Sequence, residues 1–248
     1  MECQFYHFNS LSSTQDKAKE LSGKCLNNIV VTSDKQTKAR GRFKRKWHSD
    51  KGGLWMSILL RPENTGNMQY LTFAAAVSVV KAIKKITNIK TSIKWPNDIH
   101  YKGKKLCGIL TEGFFGKNRH IIVGIGLNVN QISFPSSIKN GAVSLKMIKN
   151  RNFDIKKLSK VIIREFFILY NKCYNKNKFL DITKLWKKYC DTLNKDIIIT
   201  AKTKKLSGKA VGIDENCSLL LKLNNNRIIK IIEGDIAYHI YSVRKDFF

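Results

Sequence analysis

The first sixty residues alternate between short apolar runs and polar segments. Residues 5–8, "NIVVTS" (28–33) and "LWMSILL" (54–60) are short apolar runs bounded by polar or turn-forming residues, which predicts three strands. Between the first two, "SSTQDKAKEL" predicts a helix that Ser13 or Thr14 caps. The chain is therefore predicted to open with a strand, a helix and two further strands.

The spacing of apolar residues changes after residue 69. Helical intervals over Tyr70–Ile86, 154–174 and 179–193 predict three helices. Between the first and second of these lie a predicted strand, "TSIKW", a hairpin over "DIHYKGKKLCGILTEGF" that turns at Lys102-Gly103, and an apolar strand, "RHIIVGIGLNVN". Helices and strands mixed in this way indicate an α+β domain.

A different pattern begins after Asn194. Several short strand-like runs follow, separated by Gly, Asn and Asp residues, which predicts a small all-β module. We place the domain boundary at Leu193, so that residues 1–193 form the α+β domain and residues 194–248 a small β barrel.

Composition favours a globular protein of the cytoplasm. Hydrophobic residues make up 43% of the 248-residue chain, which is enough to bury a core. The six cysteines include no C-x-x-C pair, as expected of reduced thiols rather than zinc or redox sites. The N-terminus lacks the features of a signal peptide, and no apolar run is long enough to span a bilayer. We expect no membrane partner.

The net charge of +28 raises the hypothesis of nucleic-acid binding. However, the lysines are spread over all regions, including predicted helix faces such as "KAIKKI", whereas a binding face requires clustered charge. No RNP, helix-turn-helix or zinc-finger pattern is present. Nucleic-acid binding stays an alternative that rests on charge alone, and it predicts strongly salt-dependent affinity.

Several common catalytic motifs are missing. The sequence contains no Walker-type phosphate loop, no G-x-S-x-G and no histidine pair at metal-ligand spacing. "GIGLN" has two glycines of the dinucleotide fingerprint but lacks the third glycine and the helix after it. We expect neither a covalent nucleophile nor a dedicated metal site within the protein.

A basic stretch, "KARGRFKRKWHSDKGG" (38–53), carries candidate phosphate-binding chemistry. It holds seven Lys or Arg residues, and guanidinium groups can grip phosphate with two hydrogen bonds. Gly41 is expected to let the backbone bend between Arg40 and Arg42, and Trp47 to supply an apolar wall. An exposed, solvated loop is the alternative.

Two further polar residues follow predicted strands. Lys94 needs an anionic partner if it is buried, and that partner is either a ligand in a cleft or Asp98. Asn128 either hydrogen-bonds an adenine edge or stabilises a turn. Spacing alone does not choose between these alternatives.

Taken together, these stretches resemble the biotin–protein ligase family. The resemblance rests on "QTKARGRFKRKW", "KWPNDI", "KKLCGILTE" and "IGIGLNVN", in this order, and on "SSTQ", which is similar to a Ser-Thr-Asn/Gln segment of the family. It covers essentially the whole chain. It implies a class II synthetase-like catalytic core, with a mixed sheet flanked by helices, and an SH3-like barrel after it. It also implies a monofunctional form that lacks the DNA-binding domain of some relatives and binds no operator.

The resemblance implies an ATP-dependent ligase that uses Mg²⁺. Such enzymes join biotin to AMP, release pyrophosphate and transfer biotin to one lysine of a biotin carboxyl carrier protein. The implied partner is the carrier domain of a biotin-dependent carboxylase, and a homodimer is compatible with the sequence. A lipoate or octanoate attachment enzyme of the same superfamily is the alternative, although the Arg-Gly-Arg loop with KWPND favours biotin.

The resemblance also implies site residues, position by position. The residues implied to bind biotin are Ser13, Thr14, Gln15, Gln36, Arg40, Gly41, Arg42 and Lys94. The residues implied to bind ATP are Arg42, Arg45, Trp47, Lys94, Asn97, Lys105 and Asn128. Three of these residues are implied to be catalytic, namely Arg40, Arg42 and Lys94.

Two positions of the basic loop depart from the family pattern. Ala39 stands where the family usually has Gly, and Phe43-Lys44 stands where members often carry Arg-Gly. Fewer glycines predict a stiffer loop.

Overall fold

The computed structural model describes residues 3–63, 65–116, 118–201 and 204–238. The chain divides into two compact units, and the boundary along the sequence falls between Tyr189 and Cys190. The sequence placed the domain boundary four residues later, after Leu193, because the last helix was predicted to run that far. Within the described ranges, no helix is long and apolar enough to cross a membrane.

A seven-stranded mixed sheet forms the centre of the first unit, as far as the structure describes it. Its strands are β1 (Cys3–Phe8), β2 (Asn28–Ser33), β3 (Leu54–Leu60), β4 (Ser92–Lys94), β5 (Asp98–Tyr101), β6 (Lys104–Phe114) and β7 (His120–Leu127). They lie in the order β1-β2-β3-β7-β6-β5-β4, with β1 and β2 parallel and the other neighbours antiparallel. The predicted mixed sheet is confirmed.

The β5–β6 hairpin turns where the sequence predicted. Lys102 and Gly103 both have positive φ, at 47° and 79°, which is the backbone of a tight primed turn. This turn sets the pairing of Tyr101 with Lys104 and of His100 with Lys105, and a register shift between Ile99 and His100 then brings Asp98 opposite Gly108.

Helices cover both faces of the sheet. They are α1 (Thr14–Leu21), α2 (Gln69–Thr87), α3 (Leu145–Lys149), α4 (Ile155–Leu169) and α5 (Phe179–Tyr189), and a single π-helical turn, Tyr170–Tyr174, extends α4. A hydrogen bond of 2.7 Å between Thr72 and Thr111 places α2 on one face of β6. Thr14 of α1 hydrogen-bonds Ser57 of β3. The register aligns Ser57 with Gly124 and Gly124 with Leu110, so these residues share one face of the sheet. Leu110 precedes Thr111 in β6 and therefore faces the opposite side. The helix α1 therefore covers the opposite face.

The helix α1 has the cap that its sequence predicts, and it packs against the sheet. The Ser13 hydroxyl accepts a hydrogen bond from the backbone N–H of Asp16, which confirms Ser13 as the cap. Below it, Ala18 is fully buried in a cluster with four apolar side chains of β2, β3 and β7, namely Ile29, Val31, Leu59 and Ile122. This packing fixes the start of α1 over the sheet.

The second unit contains an antiparallel sheet of five described strands. They are β8 (Asp196–Ala201), β9 (Lys204–Ile213), β10 (Leu219–Lys222), β11 (Ile228–Ile231) and β12 (Asp235–Tyr238), in the order β11-β10-β9-β8-β12. Its core is apolar and includes Ile197, Ile199, Leu219 and Leu221. The small SH3-like β module is confirmed. The end of its last predicted strand, His239-Ile240, and the residues after it lie outside the described ranges.

Candidate active site

One row of paired residues crosses the sheet from β4 to β3. The register aligns five residues in succession, namely Lys94, Asp98, Gly108, Gly126 and Trp55. Residues directly opposite one another project from the same face of a sheet. Lys94 and Asp98 therefore share a face with the two glycines at the centre of the row. It is the face that α1 covers.

Two glycines of β7 let side chains lie directly on this face. A methyl group at Gly124 would lie 2.9 Å from Gln15 Oε1, and one at Gly126 would lie 2.6 Å from Trp47 Nε1. Neither approach is compatible with a Cβ atom, because real carbon contacts of this kind are longer. The glycines thus bring Gln15 of α1 and Trp47 of the basic loop onto the sheet.

Gln15 and Trp47 each present one unsatisfied polar atom here. Gln15 Oε1 and Trp47 Nε1 are buried, and no described residue forms a hydrogen bond with either. Buried polar atoms are normally paired, so an unpaired acceptor over Gly124 and an unpaired donor over Gly126 indicate places for polar groups of a ligand. Gln15 offers an acceptor, and Trp47 offers a donor.

Thr14 and Gln36 form a connected network beside Gln15. Gln36 Oε1 accepts from the Thr14 backbone N–H at 2.7 Å and lies 3.1 Å from its hydroxyl. The same hydroxyl is 2.8 Å from Ser57 Oγ, and Gln36 Nε2 donates to Ser49 Oγ at 3.1 Å. The side chains of Thr14, Gln36, Ser49 and Ser57 are thus held in one hydrogen-bond network without a ligand.

Arg40 is held by two carboxylates at the base of the basic loop. Its guanidinium lies 2.7 Å from Asp16 Oδ1 and 3.2 Å from Glu112 Oε2. Partial burial disfavours the charge, but Asp16 and Glu112 outweigh it and raise the pKa of Arg40. Arg40 therefore anchors the loop to α1 and β6.

Arg42 and Arg45 lie at the tip of the loop. Their guanidinium groups lie 4.9 Å and 5.5 Å from the centre of the Phe43 ring, and Arg42 donates to Asn97 Oδ1 at 3.2 Å. The contact with Asn97 brings the loop to the "KWPND" turn. Arg42 is therefore a neighbour of Asn97, and both implied phosphate-binding arginines lie against the Phe43 ring.

The sharp bend of the loop does not occur at Gly41, contrary to the expectation from sequence. Gly41 is extended, with φ −101°, a conformation open to any residue. The left-handed residues are Phe43 and Lys44, with φ of 55° and 57°. The bend is thus made by two residues with Cβ atoms, at a cost of about 1–2 kcal/mol each.

Lys94 and Asp98 form one end of the row, and Lys105 lies beside Asp98. Lys94 is half-buried opposite Asp98, while the Asp98 carboxylate lies 2.7 Å from Lys105 Nζ. Lys105 Nζ also lies 5.2 Å from the centre of the Trp47 ring. Asp98 thus has Lys105 as an ion-pair partner, a contact that the sequence did not predict.

Two of the implied residues have clear structural roles. Asn128 is buried, and its side-chain amide donates to the Val143 carbonyl at 3.1 Å. This is the turn-stabilising alternative that the sequence left open. Ser13 caps α1, as described above. Their implied roles at ATP and biotin remain predictions.

The sequence did not single out Asp16, Ser49, Ser57, Asp98 or Glu112 as site residues. Glu112 ends "KKLCGILTE" and lies on the same face of β6 as Gly108 and Leu110, so the hairpin register carried a signal for it. Among the residues that the structure describes, no three His, Cys, Asp or Glu side chains come together as metal ligands.

Comparison with known proteins matches both units. Residues 7–129 match the Biotin/lipoate A/B protein ligase family, and residues 192–237 match the Biotin protein ligase C terminal domain. The bifunctional ligase/repressor BirA of Bacillus subtilis is 40% identical over 241 residues, which cover 93% of this chain and 72% of that protein. The biotin–[acetyl-CoA-carboxylase] ligase of Mycobacterium tuberculosis is 28% identical over 154 residues, covering 60% of this chain and 56% of that protein.

Solved structures give the same assignment. The biotin protein ligase of Aquifex aeolicus in complex with biotin and ATP matches with a TM-score of 0.83 and 30% identity, over 95% of this chain and 98% of that chain. Fold and site therefore define a ligase of the biotin and lipoate attachment class. Within this class, the chain belongs to the biotin protein ligase family.

Proposed function

We propose that the protein activates biotin with ATP as biotinyl-5′-AMP and transfers the biotin to a specific lysine of a biotin carboxyl carrier protein. One observation carries the proposal. The buried acceptor Gln15 Oε1, which suits a ureido N–H, lies on the face of the sheet over which the arginine-rich loop is anchored. A ligand with a neutral polar ring at one end and a phosphate at the other satisfies both, and biotinyl-5′-AMP has this form.

The first half-reaction is adenylation. A carboxylate oxygen of biotin attacks the α-phosphorus of ATP, the bond to the β-phosphate oxygen breaks, and pyrophosphate leaves. Arg42 and Arg45 hold phosphate oxygens, and Lys94 contacts the carboxylate and the α-phosphate, where negative charge builds. Arg40, already engaged by Asp16 and Glu112, keeps the base of the loop in place.

The second half-reaction is acyl transfer. The neutral amine of the carrier lysine attacks the acyl carbon, AMP leaves with the electron pair of the broken C–O bond, and the amine gives up a proton. The loop from Arg40 to Trp47 shields the water-labile adenylate until the carrier lysine arrives. Mg²⁺ enters with the ATP phosphates as part of the substrate, since this ion prefers phosphate and water oxygens.

The remaining implied residues border the two substrates. Ser13, Thr14, Gln15 and Gln36 surround the biotin ring, with Gly41 beside it in the loop. Trp47, Asn97, Lys105 and Asn128 line the ATP side. The partner is a biotin carboxyl carrier domain, whose lysine accepts the biotin.

The test is biotin-dependent exchange of pyrophosphate into ATP, with lipoate and octanoate measured beside biotin. We expect exchange with biotin alone, and labelling of a carrier domain when one is added. Lys94→Gln should reduce exchange strongly, whereas Lys90→Gln, the same change at an exposed lysine, should not. Exchange with lipoate or octanoate instead of biotin would overturn the assignment of biotin as the substrate. The absence of exchange with all three acids would overturn the proposal that the protein adenylates its substrate.

A further inference from the structure

Glu112 joins two separate segments of the site. Its Oε2 atom accepts from Gln15 Nε2 at 2.8 Å and from Arg40 Nη2 at 3.2 Å. Gln15 belongs to the start of α1 and Arg40 to the basic loop, so one carboxylate holds both the residue proposed at the biotin ring and the base of the loop. The Glu112 side chain is 28% exposed, so these contacts are partly shielded from water.

The chemistry of Glu112 determines which way the Gln15 amide points. An ionised carboxylate only accepts hydrogen bonds, so it must face the NH₂ group of the amide and never its oxygen. The Gln15 oxygen is therefore turned away from Glu112. It is buried over Gly124 and has no hydrogen-bond partner within the described part of the chain. It can then serve only as an acceptor for a ligand N–H.

We infer that Glu112 is a positioning residue that makes Gln15 an acceptor for the biotin ureido group and ties this recognition to the anchored base of the loop through Arg40. The inference rests on the proposed function, because it names biotin as the ligand. Asp16 provides a comparison, since it also binds Arg40, whereas the Gln15 amide donates to Glu112. The two acids therefore separate an effect on Gln15 from an effect on the loop.

The test is the Kd of biotin without ATP, measured by calorimetry. In Glu112→Gln, the amide oxygen can accept from Arg40 in the Oε1 position, which puts the new NH₂ in the Oε2 position, where it donates to Gln15 and turns the NH₂ of Gln15 toward the ligand. The NH₂ group of Gln15 then faces the ureido N–H of biotin, so that two donors oppose each other. We expect the Kd for biotin to rise about tenfold or more. Asp16→Asn, which removes the same charge beside Arg40, should change the Kd much less.

A charge-conserving swap provides the rescue. In Glu112→Gln/Gln15→Glu, the new Glu accepts from the new Gln and keeps its second oxygen as an acceptor for the ligand. We expect the swap to recover most of the affinity that Glu112→Gln loses, which a merely structural role of Glu112 would not produce. Thermal unfolding of each variant shows whether it is folded.

The outcomes separate the inference from the proposed function. Wild-type protein that binds no biotin would overturn the proposed function, and the inference with it. Biotin binding by wild type that Glu112→Gln leaves unchanged would overturn the inference alone. Equal weakening by Glu112→Gln and Asp16→Asn, with no recovery in the swap, would also overturn it in favour of a general effect of charge.

Discussion

The indole of Trp47 lies directly on Gly126 of β7. The Nε1 atom would be 2.6 Å from a methyl group at position 126, and two further ring atoms would be within 3.1 Å. Lys105 also contacts this indole, and its Nζ lies 5.2 Å from the ring centre. The position of Trp47 thus depends on the absence of a side chain on a strand that is 79 residues away along the chain.

Gly126→Ala should displace Trp47 and impair the ATP side of the site. The new methyl group cannot coexist with the indole, so the ring must leave the sheet and carry the loop with it. We expect the KM for ATP to rise on the order of tenfold, because small misplacements of substrate-positioning groups are costly. Pyrophosphate exchange at varied ATP, together with tryptophan fluorescence, measures the effect.

Gly116→Ala is the matched control for this substitution. A methyl group at Gly116 meets nothing within 4 Å, so the same chemical change is made in open space. Its kinetics should resemble those of wild type. Unaltered ATP kinetics in Gly126→Ala would show that Trp47 does not occupy the position described here during catalysis.

Strand and turn positions were predictable because their signals are local. The predicted bounds of β2 and β3 match the structure to the residue, and the Lys102-Gly103 turn lies where it was expected. Each is encoded by a short apolar run or by two turn residues, so no distant contact is needed to define it. Ser13 as the cap of α1 is a signal of the same kind.

Features that depend on distant contacts were not predictable in this way. Gln15 and Glu112 are 97 positions apart in sequence and meet only because the sheet brings α1 and β6 together. The helix α3 was missed because five residues carry too little periodicity, although Ser144 caps it. Its existence follows from contacts around Asn128, and these appear only in the folded chain.

Lys44→Gly should stabilise the loop. Lys44 has φ 57°, a conformation that costs a residue with a Cβ atom about 1–2 kcal/mol and costs Gly nothing comparable. Lys44→Ala removes the same charge but keeps the Cβ atom, so it is the control. The free energy of unfolding of each variant is measured in urea. We expect it to be roughly 1 kcal/mol higher for Lys44→Gly than for Lys44→Ala, once the added entropy of Gly in the unfolded chain has been subtracted. Equal stabilities would mean that Lys44 is not held at positive φ.

Asn128→Asp should destabilise the protein irrespective of ATP. The Asn128 amide donates to the Val143 carbonyl, and a carboxylate in its place would bring an acceptor against an acceptor in a buried position. We expect a loss of about 1–3 kcal/mol in the free energy of unfolding. Asn171→Asp makes the same change at an exposed position and should have little effect. Full stability of Asn128→Asp would contradict the turn-stabilising hydrogen bond to Val143.

The buried His120 should make the protein less stable in mild acid. Burial lowers the pKa of His120, and the charges of Arg61 and Lys19 act in the same direction, although a hydrogen bond to the Asn118 carbonyl opposes them. The unfolded chain, with a histidine pKa of about 6.5, then takes up the proton more readily than the folded protein. The stability conferred by neutral His120 is present above about pH 6.5 and is lost as the pH falls through the lowered pKa. His120→Phe keeps a ring against Phe114 but does not titrate. Urea unfolding at pH 7.5 and 5.5 should show a larger acid-induced loss in wild type than in His120→Phe, and equal losses would assign the pH dependence to other groups.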